Sequence, residues 1–137
     1  MTRRLHGDAG SVMPMAAVLV MFLMVGAWAL VSASQQWATR RDAYAAAAAA
    51  ARAGAQANPD LLRSGVLLDD DSAVGRAEAI LATAGYQGTV RIDGAAVTVT
   101  VTAAVDYAFP SPGFPDKVVG SATATARRGV DGQEPGG

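Results

Sequence analysis

Apolar and polar positions along this chain change their spacing three times. The first regime is an uncharged stretch, residues 11–36, whose apolar part, 12–31, is interrupted only by Pro14 and Gly26. As a helix that apolar part spans about 30 Å, the thickness of a bilayer's hydrocarbon core. Pro14 falls in the first turn of a helix starting near Ser11, where its missing N–H costs little. Arg3 and Arg4 precede the run and Arg40 and Arg41 follow it, while Trp28 and Trp37 lie towards its distal end, where amphipathic rings favour a membrane interface. A buried core helix is the poorer reading, because a small domain cannot surround such a rod on every side.

The helical pattern does not stop at Gln36. Residues 37–57 contain no breaker and include an unbroken alanine run, 45–51, with Gly54 the only poor helix former. One helix is therefore predicted over 11–57, with 11–33 as the transmembrane part and 34–57 outside. Asn58-Pro59 ends it, since the residue before proline is pushed out of the α region. Residues 60–71 read as a short turn and loop anchored by Leu61, Leu62, Val66, Leu67 and Leu68.

A second, shorter helix is predicted over 72–84. Ser72 can cap it, Asp69, Asp70 and Asp71 suit its positive end, and Val74, Ala77, Leu81 and Ala84 form one apolar stripe. Gly85 suits the position just past its end. The three carboxylates lack the alternating spacing of a calcium loop.

Beyond Gly85 the period becomes two. Strands are predicted over 88–93, 95–108 and 117–128, with a tight turn at Asp93-Gly94. Val97, Val99, Val101, Ala103 and Val105 alternate with Thr98, Thr100 and Thr102, which gives the middle strand one apolar and one hydroxyl-rich, solvent-facing side. In the last strand Val118, Ala122, Ala124 and Ala126 share a face. Between these strands, residues 109–115 carry three prolines and a glycine and form a rigid loop, and the polar, glycine-rich stretch 129–137 reads as a disordered tail. The fold class is thus α+β: a long N-terminal helix, a short second helix and a three-stranded antiparallel sheet. The Ala-rich half of the long helix offers a smooth cover for the sheet's apolar face.

Composition narrows the function. The 137 residues are one domain's length, and 11 basic against 12 acidic groups leave no electrostatic footprint for nucleic acid. Without cysteine, disulfide scaffolds, thiol nucleophiles and Cys-based zinc sites are excluded. The single histidine, His6, leaves little for acid–base or metal chemistry, and no paired-carboxylate, Ser–His–Asp or phosphate-loop constellation can be assembled. Alanine accounts for 31 residues, so the apolar share is mostly small side chains. These features describe a membrane-linked or assembling structural protein without catalytic sites or cofactors. Two arginines flank each side of the apolar run, so charge bias alone does not orient it.

The order of parts carries a resemblance. A charged tip, Gly10-Ser11-Val12, an apolar helix, the Arg40-Arg41-Asp42 boundary, an Ala-rich continuation, a Val-Thr-Val-Thr-Val strand and a closing Ser-Ala-Thr-Ala-Thr-Ala-Arg-Arg strand follow one another. This layout resembles the TadE/TadG-like proteins, pilin-like components of bacterial tight-adherence (Flp-type) pilus systems, and the Ala and Arg richness resembles their actinobacterial members. The resemblance covers residues 8–128 and rests on the order of loose motifs.

It implies a pilin-like fold, a cytoplasmic N-terminus, a single membrane pass and an extracytoplasmic domain. It also implies partners: the membrane, other pilin-like subunits, tight-adherence assembly proteins and a prepilin peptidase cutting between Gly10 and Ser11. That cut would remove leader 1–10 and free the apolar helix, with Val12, Leu19, Phe22, Leu23, Trp28 and Leu30 on its surface, for packing. Where pseudopilins carry a glutamate five residues into the mature chain, this sequence has Met15, and TadG-like relatives often lack that glutamate. Both a processed and an uncleaved anchored subunit follow from the pattern. A third reading takes Val31-Ser32-Ala33 as a signal-peptidase site and makes the protein a small secreted binding module starting at Ser34.

Overall fold

The computed structural model describes residues 9–57 and 69–126, with side chains from residue 13 onward in the first segment. In chain order it contains α1 (Ala9–Ala55), α2 (Asp70–Thr83), β1 (Gly88–Asp93), β2 (Ala96–Ala104) and β3 (Lys117–Thr125). The architecture is α+β: a long N-terminal helix, a short second helix and an antiparallel sheet in the order β1-β2-β3. The leader through Asp8 with His6, the Asn58-Pro59 stop, the leucines of 61–68, Arg127 and the tail 129–137 lie outside the described residues.

α1 is one uninterrupted helix of 47 residues, about 70 Å long at 1.5 Å per residue. It starts two residues ahead of the predicted Ser11 and ends two before Ala57. Gln56 still donates to the Arg52 carbonyl and Ala57 to that of Gly54, both at 3.1 Å, so the chain leaves by tightening its last turn. Because the helix begins at Ala9, Pro14 lies a full turn inside it. A proline at that place has no N–H to give to the Gly10 carbonyl four residues back.

The second half of α1 covers the sheet. Ala43, Ala47, Ala50, Ala51 and Ala55 repeat at spacings of three and four, and all are buried with Val97, Val99, Val101, Ala103, Val105 and Val118. The alternation read in β2 is therefore the alternation between core and solvent. With methyl groups on one side and a flat apolar sheet on the other, the layers come unusually close. At Gly120 in β3, an added Cβ would lie 2.5 Å from the Tyr44 nitrogen and 2.6 Å from the Ala43 carbonyl carbon. Only a residue without a side chain fits there.

α2 packs on the same core through Ala73, Ala77 and Leu81, with Val74 half-buried and Ala84 exposed. Its N-cap is Asp69, not Ser72. The Asp69 carboxylate accepts from the Ser72 backbone N–H at 3.3 Å and also from the Ser72 hydroxyl. Asp70 and Asp71 then occupy the first turn, where the helix dipole favours negative charge. At the other end Gly85, with φ +75°, lets its own N–H reach the Ala82 carbonyl and the Tyr86 N–H reach that of Leu81. This paired arrangement satisfies two otherwise orphaned carbonyls.

β1 and β2 are joined through Asp93↔Ala96, and β2 and β3 pair from Ala96↔Thr125 to Ala104↔Lys117. β2 stops at Ala104, short of the predicted 108; pairing continues by one further bond, Val105 N–H to the Asp116 carbonyl at 2.8 Å, before the chain enters the proline-rich loop. On the open face, hydroxyls of registered residues pair across the strands, Thr98 with Thr123 at 2.8 Å and Thr100 with Ser121 at 3.2 Å.

Candidate functional site

The sequence places its functional expectation on the first half of α1, and there the structure exposes apolar side chains on every side. Leu19, Phe22, Leu23 and Leu30 are all exposed, as are Met13, Met15, Met21 and Met24; Phe22 reaches 77%. Nothing among the described residues covers them. The helix is long and apolar enough to cross a membrane, and the qualifying segment is almost entirely unburied within the molecule. A core helix of a soluble protein with this composition would be wrapped by its own domain. Gly10, Ser11 and Val12 lie in the first turns of the same helix. Their side chains are outside the described set, but the backbone puts Gly10 opposite Pro14, so the carbonyl of the Gly10–Ser11 bond lacks its helical partner.

Trp28 differs from the other apolar residues singled out on α1. It is half-buried, because the loop between β2 and β3 folds back along the helix and rests on it. Its indole Nε1–H donates to the Pro110 carbonyl at 3.2 Å. Its ring meets Phe114 edge-on, with centroids 5.7 Å apart, and Tyr107 flanks Phe114 at 6.2 Å. One turn further along, Ser32 is only 2% exposed and its hydroxyl pairs with that of Ser111 at 2.9 Å. Gln35 accepts the Ala108 N–H at 3.3 Å, and the Tyr107 hydroxyl donates to the Pro115 carbonyl at 2.9 Å. The loop is thereby clamped along two turns of α1. Sequence reasoning recognised the loop's rigidity but not its docking; the aromatic pair Phe109 and Phe114 in a proline-rich segment was the available signal.

Above this clamp an open groove of about 870 Å³ runs between α1 and β3. Trp37, Arg40, Arg41 and Tyr44 line it from the helix, and Val119 and Ser121 from the strand. Trp37 is 71% exposed and sits one turn from the two guanidinium groups. The groove joins aromatic surface to positive charge at the level where the uncharged run ends.

Among the described residues, no group of three or more His, Asp or Glu side chains is placed to hold a metal ion, and no buried polar side-chain atom lacks a hydrogen-bond partner. Asp69, Asp70 and Asp71 are exposed and spent on the start of α2. No family model, curated protein or solved structure matches this chain.

Proposed function

We propose that this protein is a membrane-anchored, pilin-like structural subunit of the TadE/TadG-like kind, in a tight-adherence pilus or its assembly machinery, working by helix packing and not by catalysis. The observation that carries the proposal is the continuity of α1. A single helix presents apolar side chains outward along its first half and an alanine face inward along its second. Such a helix holds a small extracytoplasmic domain at a fixed attitude to the bilayer and offers its outer surface to lipid or to sister helices. The N-terminus is cytoplasmic in this reading, and the sheet lies outside the cell.

Two further features support it. The Gly10 carbonyl, left without an intrahelical donor by Pro14, is the carbonyl a prepilin peptidase would attack in cutting Gly10–Ser11. Cleavage after Ala33, as a secreted binding module requires, would sever α1 and discard Trp28 and Ser32, two residues that clamp the 109–115 loop. Sequencing the N-terminus of the protein isolated from its own host tests the proposal. Ser11 as the first residue supports pilin-type processing, and Met1 or Thr2 supports an uncleaved anchor. A chain beginning at Ser34 or Gln35 and recovered free of membranes overturns both.

A further inference from the structure

The 109–115 loop poses a problem of depth. Measured from Val12 at 1.5 Å per residue, a hydrocarbon core of about 30 Å extends to the level of Val31. The loop touches α1 within that length, at Trp28, and just beyond it, at Ser32. If α1 spans the bilayer, which is the reading proposed above, the tip of this loop is carried to the hydrocarbon boundary along with the helix. The chemistry of the loop fits that place. From Tyr107 to Pro115 there is no charge, and the first carboxylates, Asp106 and Asp116, stand at its base. Three of its residues are prolines, so three backbone donors that would need water are absent. Other polar groups are satisfied inside the molecule: the Trp28 indole by Pro110, the Ser32 and Ser111 hydroxyls by each other, the Phe114 N–H by the Ser111 carbonyl at 3.1 Å. Phe109, by contrast, is 61% exposed at the tip. With Ala27, Trp28 and Val31 it borders a shallow, wholly apolar recess of about 320 Å³, continuous with the bare apolar surface of α1.

We infer that the 109–115 loop is a second membrane contact, dipping Phe109 into the boundary between headgroups and acyl chains of the bilayer that α1 crosses. The helix supplies insertion and the loop sets depth, because the clamp at Trp28 and Ser32 brings the domain down onto the membrane surface. The aromatic cluster of Trp28, Tyr107 and Phe114 sits at the level where such rings favour an interface.

The chain has no cysteine, so single cysteines can be introduced and spin-labelled without background. The full-length protein, reconstituted in phosphatidylcholine vesicles, is labelled in three separate variants, Met21→Cys on the bare helix, Phe109→Cys at the loop tip and Asp93→Cys at the distal hairpin. All three positions are exposed, so the substitutions leave the packing intact. Collision with oxygen, which concentrates in acyl chains, is compared with collision with a water-soluble nickel chelate. The expected result is oxygen-dominated relaxation at 21 and 109 and nickel-dominated relaxation at 93. Nickel-dominated relaxation at 109 with oxygen-dominated relaxation at 21 overturns the loop contact and leaves the spanning helix standing. Nickel access at 21 overturns both. A label at 109 that is shielded from both relaxants, and becomes accessible when the protein-to-lipid ratio is lowered, shows a second copy of the chain covering the patch and also overturns the lipid assignment.

Discussion

At the level of single residues, the fold depends on positions where a side chain is missing more than on positions where a large one is present. The three largest fully buried side chains are valines, and most of the buried residues around them are alanines, with Leu81, Val105 and Val118 the larger members. A core built this way gains little per residue, about 0.8 kcal/mol for each buried methylene-sized group, and so relies on close approach over a long stretch. Gly120 is where that approach is tightest. Gly120→Ala places a methyl group against the backbone of α1 at Ala43 and Tyr44, which cannot yield as a flexible side chain would. The substitution should cost about 3 kcal/mol and lower the thermal midpoint of the full chain in detergent by roughly 10 °C. A midpoint within error of the parent's would show that helix and strand stand further apart than the structure has them.

The elements themselves were largely readable before the structure, for reasons that differ between them. β2 was legible because Val and Thr alternate strictly from Val97 to Thr102, and a pleated strand with one covered face demands that alternation. The alanine face of α1 was legible because only a helix brings positions 43, 47, 50 and 51 onto one side. The start of α2 was legible only to within a few residues. Asp69, Asp70, Asp71 and Ser72 can all cap a helix, and local propensity does not choose between them. The choice falls on Asp69 because its carboxylate can take both the backbone N–H and the hydroxyl of Ser72, while Ala73 must enter the core. Asp69→Ala should therefore destabilise α2 by about 1 kcal/mol, and Ser72→Ala by less. Faster amide exchange in the first turn of α2, measured for the two variants side by side, checks the order; the reverse order would return the cap to Ser72. The docking of the 109–115 loop on α1 was hinted at only by the aromatic pair Phe109 and Phe114 in a proline-rich segment, and its place on the helix was not legible. Its contacts join residues about eighty positions apart and follow no period, so only the assembled sheet reveals where the loop falls.

For the molecule as a whole, the question is how far the N-terminal region is retained. The proposed cut between Gly10 and Ser11 gives a direct prediction. Gly10→Leu puts a bulky residue at the bond a prepilin peptidase would attack, and the protein expressed in its own host should then keep the leader. It should migrate more slowly than the processed parent on a gel, by an amount matching the ten residues of 1–10. Equal mobility of the variant and a parent shown to begin at Ser11 would rule out a peptidase that requires glycine there. The same reasoning shows how much of the functional surface the sequence could offer. The bare apolar half of α1, with Leu19, Phe22, Leu23 and Leu30, was evident from its lack of charge. The groove between Trp37, Arg40, Arg41, Tyr44 and β3 was not, since its strand side comes from Val119 and Ser121 far along the chain.

The unbroken course of α1 has a mechanical consequence. In the anchored state proposed above, the domain would not hang from a pliable tether but be bolted to its spar, with the strut formed by the 109–115 loop stiffening the joint further. A lean of about 10° in the half assigned to the membrane would then swing the far end of the outer half sideways by roughly 6 Å, with no hinge to absorb it. Under that proposal, bilayer thickness or pressure from a neighbouring rod, either of which would reset that lean, would be transmitted undiminished to the hydroxyl-studded outer face of the sheet.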